Sequence, residues 1–205
     1  LQAIHFQNFI HRDLHSGNIL QETEQSARIA DLGLLVSTSK CSKVGTNGVC
    51  AILPYISPEV LNKQPYTTAS DIYSFGIIMW EILFGLPITK IYNVFRKYFG
   101  PELEMQIVLN ELRPPIFENL ESCYVSLMKK CWESDPKKRL SAAKICETFA
   151  EWQNYNEILS ELTEYDKKML LQMSNTNNAL VTIDRLYRHS DCGCVKLLYD
   201  KKFVI

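Results

Sequence analysis

The sequence predicts a mainly α-helical domain with a short β-hairpin near its start, and two patterns support this. From residue 68 onward, apolar residues recur at spacings of three and four, the period of helices that bury one face. Earlier, ILQET at 19–23 and ARIAD at 27–31 are short runs on either side of a polar turn, as in two antiparallel strands. The 205 residues, 46% of them hydrophobic, suffice for a packed core.

The elements before the central region are short. In LQAIHFQNF the residues Leu1, Ile4 and Phe9 have helical spacing, so a short helix is predicted at the front of the chain. Residues 34–57 are rich in Ser, Thr, Gly and Cys and lack clear periodicity, which predicts an ordered or switchable loop.

Helices account for most of the chain from residue 68 onward. The helix that begins near Thr68 is apolar over most of its surface and ends before Gly85 and Pro87, so it is predicted to be buried and central. A second helix carries Val125, Met128, Cys131 and Trp132, and a third has Ser141 as N-cap with Ile145, Phe149 and Trp152 on one face. We therefore predict one domain over 1–152 and an extension of unknown role over 153–205, whose segment 156–173 is amphipathic and docks either a partner or its own domain.

Charge and cysteine content exclude several classes of function. A net charge of −1 gives no field that would favour nucleic acid or an anionic membrane. The cysteines number seven, and Cys41, Cys50, Cys123, Cys131 and Cys146 show no paired spacing. With no signal peptide and no apolar run long enough for a bilayer, this indicates reduced thiols, so we expect a cytoplasmic protein, with the nucleus left open. His189, Cys192 and Cys194 lie close together, but without an evident fourth ligand free surface thiols are the simpler interpretation.

The residues most suggestive of chemistry lie at the front of the chain. Phosphoryl transfer needs an acceptor for the proton of the nucleophile and oxygen ligands for magnesium. In IHRDLHSGNIL, Asp13 could accept that proton, and Asn18 together with the later Asp31 could supply the hard oxygen ligands that Mg²⁺ prefers. The alternatives are a surface turn with a capping Asn18, or a zinc site formed by His11, Asp13 and His15, and the longer pattern disfavours both.

Five segments in order resemble the C-terminal lobe of a eukaryotic protein kinase, and the tyrosine-kinase-like group fits best. The resemblance covers roughly residues 1–152, so the implied fold is the helical lobe of the protein kinase-like fold, α+β when complete. The segments are HRDLHSGN at 11–18 for the catalytic loop, DLG at 31–33 for the magnesium-binding motif, SPE at 57–59, SDIYSFGIIMWEI at 70–82 and CWESDPKKRLSA at 131–142.

The resemblance implies roles for individual residues and implies ATP and Mg²⁺ as cofactors. Asp13 would be the catalytic base, assisted by Arg12 and Asn18; Asn18 and Asp31 would hold magnesium, and Leu20 and Asp31 would contact ATP. Leu20, Ile78 and Ile82 match the apolar stack beneath the adenine. Structural support would come from His11, Leu32, Glu59, Asp71 and Arg139, with Asp71 holding the catalytic loop and Glu59 paired with Arg139.

The resemblance also implies a protein substrate. His15 stands where serine/threonine kinases usually have Lys, and Ile52 where they usually have Thr, but the tyrosine-kinase pattern is absent as well. Tyr55 matches the serine/threonine group, which we therefore favour. An upstream kinase could phosphorylate the loop and so pair it with Arg12, the alternative being that small polar residues merely fill it; the candidate sites are Ser37, Thr38, Ser39, Ser42 and Thr46.

The sequence contains neither GxGxxG nor a VAIK-like stretch, and these are the parts that cradle the triphosphate in kinases. We therefore expect this chain to be a fragment of a longer kinase with negligible activity alone. Two alternatives are an inactive, pseudokinase-like binding module and a small-molecule kinase resembling aminoglycoside phosphotransferases. The retained Asp13, Asn18 and Asp31 argue against the first, and SPE with DIYSFG against the second.

Overall fold

The computed structural model describes residues 1–23, 26–40, 52–94, 100–116 and 122–154. The predictions made for 156–173, for His189, Cys192 and Cys194, and for Ser42 and Thr46 lie outside these residues.

Two small antiparallel sheets form the front of the domain. Helix α1 (Gln2–Phe6) precedes β1 (Phe9–Ile10), and β2 (Ile19–Thr23) pairs with β3 (Ser26–Ile29) in the predicted hairpin. Strand β4 (Val36–Ser37) then pairs with β1. Phe9 was expected on the first helix but lies in β1, because the chain turns at Asn8, which has a φ of 59°. Residues 36–37, within the predicted loop, form a strand.

A long buried helix forms the centre of the domain. Helix α2 (Pro58–Leu61) is followed by α3 (Thr68–Phe84), whose residues from Ser70 to Phe84 are all buried, as its apolar sequence predicted. Gly85 ends α3 with a φ of 65°, and its N–H donates to the Glu81 carbonyl at 2.8 Å. Glycine is suited to this left-handed position because it has no Cβ.

The remaining helices pack around α3 or at the ends of the domain. They are α4 (Ile88–Val94), α5 (Pro101–Leu109), α6 (Cys123–Cys131) and α7 (Ala142–Asn154). Helix α6 packs on α3, α5 on α2 and α7 on α1. Ser122 and Ser141 cap α6 and α7 through side-chain oxygens that accept backbone N–H groups, as predicted for Ser141. No helix in the part of the chain that the structure describes is long and apolar enough to cross a membrane.

Helices α3 and α6 approach closely at Gly76. A Cβ at Gly76 would lie 2.9 Å from the Cβ of Cys131, and neither atom belongs to a flexible side-chain end. We expect Gly76→Ala to destabilise the domain, since overpacking costs about 1–3 kcal/mol and the gain in helix propensity is about 1 kcal/mol at most. Urea denaturation followed by circular dichroism measures the change.

The matched control is Ser126→Ala, which makes a similarly small change on the exposed side of α6. It should leave the midpoint almost unchanged, because the side chain at this position faces solvent. A Gly76→Ala variant as stable as the wild type would show that α3 and α6 can move slightly apart without loss of stability.

Candidate active site

The segment HRDL is anchored by one buried carboxylate near the start of α3. Asp71 is 1% exposed. Its two oxygens accept the backbone N–H groups of His11 at 2.8 Å and Arg12 at 2.9 Å. A buried carboxylate is stable only with such partners, so the same bonds that stabilise Asp71 fix the backbone of the segment. This is the placement that the resemblance implied for Asp71.

His5 is a third partner of Asp71 that the sequence analysis missed. Its Nε2 lies 2.8 Å from Oδ2 of Asp71, and the His5 side chain is only 10% exposed. The two residues are 66 positions apart, so no local spacing indicates that they meet. His5 joins α1 to the buried carboxylate that holds the loop.

Arg12 connects the loop to the segment that follows Asp31. Its Nε donates to the Leu34 carbonyl at 2.6 Å. Its φ of 70° is unfavourable for a residue with a Cβ, and the bond from its own N–H to Asp71 helps to hold that conformation. With the β1–β4 pairing, this contact places the chain after Asp31 beside the HRD segment.

Asp13 and Asn18 come together across a turn. Residues Ser16–Asn18 form a single 3₁₀ turn, and the Asn18 Nδ2 donates to the Asp13 carbonyl at 2.9 Å. The same nitrogen lies 3.5 Å from Oδ2 of Asp13. The Asn18 amide nitrogen is therefore engaged within the loop, which leaves its side-chain oxygen as the group that can bind a cation.

Asp31 comes directly after Ala30, whose backbone contacts Asn18. The N–H of Ala30 donates to the Asn18 carbonyl at 2.8 Å, so the end of β3 lies against the turn. Asp31 has a φ of 54°, is exposed, and its Oδ1 accepts the Gly33 N–H at 3.4 Å. An amide oxygen on Asn18 and an exposed carboxylate on Asp31 are the hard donors that Mg²⁺ requires, so these residues fit that ion. Leu32, next to Asp31, is 51% exposed.

The zinc alternative is wrong for the described residues. No cluster of three or more His, Cys, Asp or Glu side chains that could hold a metal ion occurs in 1–23, 26–40, 52–94, 100–116 or 122–154. His11 is fully buried, and its Nε2 donates to the Ala30 carbonyl at 3.1 Å. His11 thus packs beneath the loop and supports the end of β3.

A hydrogen-bond chain links the turn Ser16–Asn18 to α3 through Tyr55. The Ser16 hydroxyl lies 3.1 Å from the Tyr55 hydroxyl, which donates to Oε1 of Glu81 at 2.6 Å. The Ile88 N–H donates to the same oxygen at 2.7 Å. Burial, followed by the nearby Glu81 carboxylate, raises the pKa of Tyr55, and burial raises the pKa of Glu81 against its hydrogen bonds. Neither Ser16 nor Glu81 was predicted to support the site: Ser16 lies within HRDLHSGN but was assigned no role, and Glu81 lies in the apolar run of α3.

The SPE segment is tied to the domain by an ion pair. Arg139 donates to both oxygens of Glu59 at 2.7 Å, and its side chain is 0% exposed. Arg139 also donates to the carbonyls of Glu133 and Ala69, and Ser70 donates to Glu59 at 3.1 Å. Burial would raise the pKa of Glu59, but the hydrogen bonds and charge of Arg139 outweigh it and lower that pKa.

The remaining predicted residues are more dispersed. Leu20 is 55% exposed, whereas Ile78 and Ile82 are buried in the core. Ser37 is half-buried and its hydroxyl lies 2.9 Å from that of Ser39; Thr38 and Ser39 are exposed. The exposed hydroxyls are open to modification from solvent.

Comparison with known proteins assigns the class. The protein kinase domain family matches residues 1–150, so the chain belongs to the protein kinase family. It is 28% identical over 182 residues, 89% of this chain, to the serine/threonine/tyrosine-protein kinase HT1 of Arabidopsis thaliana. It is 40% identical over 151 residues, 69% of this chain, to the probable serine/threonine-protein kinase roco8 of Dictyostelium discoideum, and 28% identical over 158 residues, 75% of this chain, to the dual specificity protein kinase shkE of that organism.

The matches cover 41%, 8% and 20% of these three relatives, respectively. The chain therefore spans less than half the length of each.

Proposed function

We propose that residues 1–152 are the C-terminal lobe of a protein kinase of the tyrosine-kinase-like group, and that the full-length polypeptide phosphorylates protein hydroxyls with ATP. The observation that carries the proposal is the loop itself: Asp71 holds the HRD backbone while Asn18 closes the turn against Asp13. A loop anchored in this way holds the Asp13 carboxylate in position before the reaction begins. Catalysis of phosphoryl transfer depends mainly on such positioning.

Asp13 accepts the proton of the substrate hydroxyl in this proposal. Its side chain is 14% exposed and makes no short hydrogen bond with another described side chain, so an oxygen remains available to an incoming hydroxyl. Asn18 and Asp31 hold Mg²⁺ through their side-chain oxygens. When bound, the cation neutralises the charge that develops on the transferring phosphoryl group. Leu20 and Asp31 face the nucleotide in this assignment.

Substrate class and regulation are extensions of the same proposal. We infer serine/threonine or dual specificity, supported by Tyr55 of the sequence LPYISPE and by the names of the relatives. Phosphorylation of Thr38 or Ser39 by an upstream kinase is part of this proposal, and both side chains are exposed. The Thr38 N–H donates to the Asn8 carbonyl, so this site lies beside Asn8, whereas Arg12 contacts Leu34. We infer a cytoplasmic location, which is consistent with the free thiol of the buried Cys131.

The direct test is phosphotransfer by the full-length polypeptide with radiolabelled ATP, Mg²⁺ and a hydroxyl-rich protein such as casein. We expect labelled phosphate on serine and threonine. EDTA should abolish the labelling, because it removes the Mg²⁺ that Asn18 and Asp31 hold at the phosphates. Restoring excess Mg²⁺ is the control. A polypeptide that binds ATP but never transfers phosphate would instead support the pseudokinase alternative.

A further inference from the structure

His15 has a fixed orientation beside Asp13. Its Nδ1 accepts the Gly17 N–H at 3.1 Å, capping the turn Ser16–Asn18. A nitrogen that accepts a hydrogen bond carries no proton, so in the neutral ring the proton is on Nε2. That nitrogen lies 3.8 Å from Oδ2 of Asp13. The turn therefore brings the Nε2–H of His15 near the carboxylate, at a separation longer than a hydrogen bond.

The ring is also held on its other sides. A Cβ on Gly17 would lie 2.9 Å from both Nδ1 and Cε1 of His15, so the imidazole packs directly against the glycine. The Tyr55 ring lies 5.9 Å away and is itself fixed by Glu81. The His15 side chain is only 18% exposed, which leaves it little freedom to turn away.

Asp13 has few other groups to orient it. Among the described residues, its carboxylate has two polar side-chain neighbours, Nδ2 of Asn18 at 3.5 Å and Nε2 of His15 at 3.8 Å, both at Oδ2. Neither is a short hydrogen bond, so the carboxylate can still accept a proton. The nearby Arg12 is directed to Leu34 instead.

We propose that His15 is a positioning residue for Asp13: Nδ1 fixes the turn, and the Nε2–H, 3.8 Å from Oδ2 here, becomes a hydrogen-bond donor to the carboxylate when the substrate hydroxyl binds. This inference rests on the proposed kinase function and adds a specific residue to it. It does not depend on protonation of His15, since the neutral ring already carries the required N–H.

Two substitutions distinguish the role of Nδ1 of His15 from that of Nε2. His15→Asn keeps an acceptor near Nδ1 but has no group at the position of Nε2, whereas His15→Gln can place an N–H near that position and loses the cap. We expect His15→Asn to lower kcat by roughly 10- to 100-fold with little change in the KM for ATP, since misplacing a reacting group is costly. His15→Gln should recover much of that loss. A role confined to the turn would give the opposite order.

Gly17→Ala provides an independent perturbation, because its Cβ displaces the ring without changing His15. We expect a similar loss of kcat, and the double variant His15→Asn/Gly17→Ala should be little worse than either single one. Additive losses would mean that the two residues act separately. Lys144→Ala, at an exposed position of α7, is the control for the effect of substitution as such.

A measurement that needs no turnover keeps this inference distinct from the kinase assignment. Long-range ¹H–¹⁵N spectra of the 205-residue chain in alkaline buffer, with His15→Asn used for assignment, should show the tautomer protonated at Nε2. Protonation at Nδ1 would overturn the role of His15 whatever the activity. If the wild-type polypeptide shows the Nε2 tautomer but no phosphotransfer, the kinase proposal is wrong and the orientation of His15 beside Asp13 stands. Active wild type with an unimpaired His15→Asn variant would overturn the positioning role alone.

Discussion

Asp13→Asn in the full-length polypeptide should lower kcat by roughly 10²–10⁴-fold, the usual contribution of a general base. The amide has almost the shape of the carboxylate but cannot take a proton from a substrate hydroxyl. The contact that closes the turn should survive, because Asn18 donates to the backbone carbonyl of residue 13. We therefore expect unchanged thermal stability and a nearly unchanged KM for ATP, measured by steady-state kinetics and a melting curve.

Asp135→Asn is the matched control. Its carboxylate is exposed and caps the turn Pro136–Lys138 by accepting the Lys137 N–H at 2.9 Å, and an asparagine oxygen can do the same. This variant should retain both activity and stability. If Asp13→Asn kept wild-type turnover, proton acceptance would have to be assigned to another group, and the proposed mechanism would be wrong. If it lowered the melting temperature strongly, the loss of activity would be structural.

The sequence predicted those parts of the fold that depend on local pattern. The hairpin Ile19–Thr23 and Ser26–Ile29 follows from two short runs on either side of a polar turn, and the buried helix Thr68–Phe84 follows from its continuous apolar surface. Phe9 was misassigned because three apolar residues at helical spacing cannot reveal the turn at Asn8, where φ becomes positive. A two-residue strand such as Phe9–Ile10 exists only through its partner Val36–Ser37, which pattern alone does not identify.

Site prediction had the same limit. Asp13, Asn18 and Asp31 lie close in sequence and are recognisable by spacing. Some of the groups that support them are not: His5 meets Asp71 across 66 positions, and Ser16 is connected to Glu81 through Tyr55. Such contacts result from tertiary packing, which the residues adjacent in sequence do not reveal. The resemblance implied the supporting roles of Asp71, Glu59 and Arg139, whereas the contacts of His5, Ser16 and Glu81 required the structure.

Arg139→Met should be among the most destabilising single changes in the domain, at about 3–5 kcal/mol. Methionine fills a similar volume but leaves Glu59, whose side chain is 13% exposed, without its cation. It also leaves the carbonyls of Glu133 and Ala69 without the donors that Arg139 supplies. The loss thus releases three segments from one another. Urea denaturation of the chain gives the change in unfolding free energy from the midpoint and slope.

Glu59→Gln should lower the unfolding free energy less than Arg139→Met does, so a comparison of the two variants is informative. Arg139 would keep its carbonyl acceptors and its position 5.3 Å from the centroid of the Tyr73 ring, so its charge would remain partly solvated by the protein. The double variant should be more stable than Arg139→Met alone, because no carboxylate would then be left unpaired. A larger loss in Glu59→Gln than in Arg139→Met would show that the carboxylate, rather than the guanidinium, joins the segments.

The pH dependence of this difference follows from the lowered pKa of Glu59. Its usual value is about 4.5, and the folded state holds it lower, so the native protein binds fewer protons there than the unfolded chain. The stabilisation is therefore complete above about pH 4.5 and is lost as the pH falls through the folded-state pKa. Because glutamine does not titrate, the stability difference between wild type and Glu59→Gln should be constant at neutral pH and shrink in acid. The stability difference could instead stay independent of pH down to the acid limit of folding. The charge of Glu59 would then contribute nothing, and only its hydrogen bonds would hold the SPE segment in place.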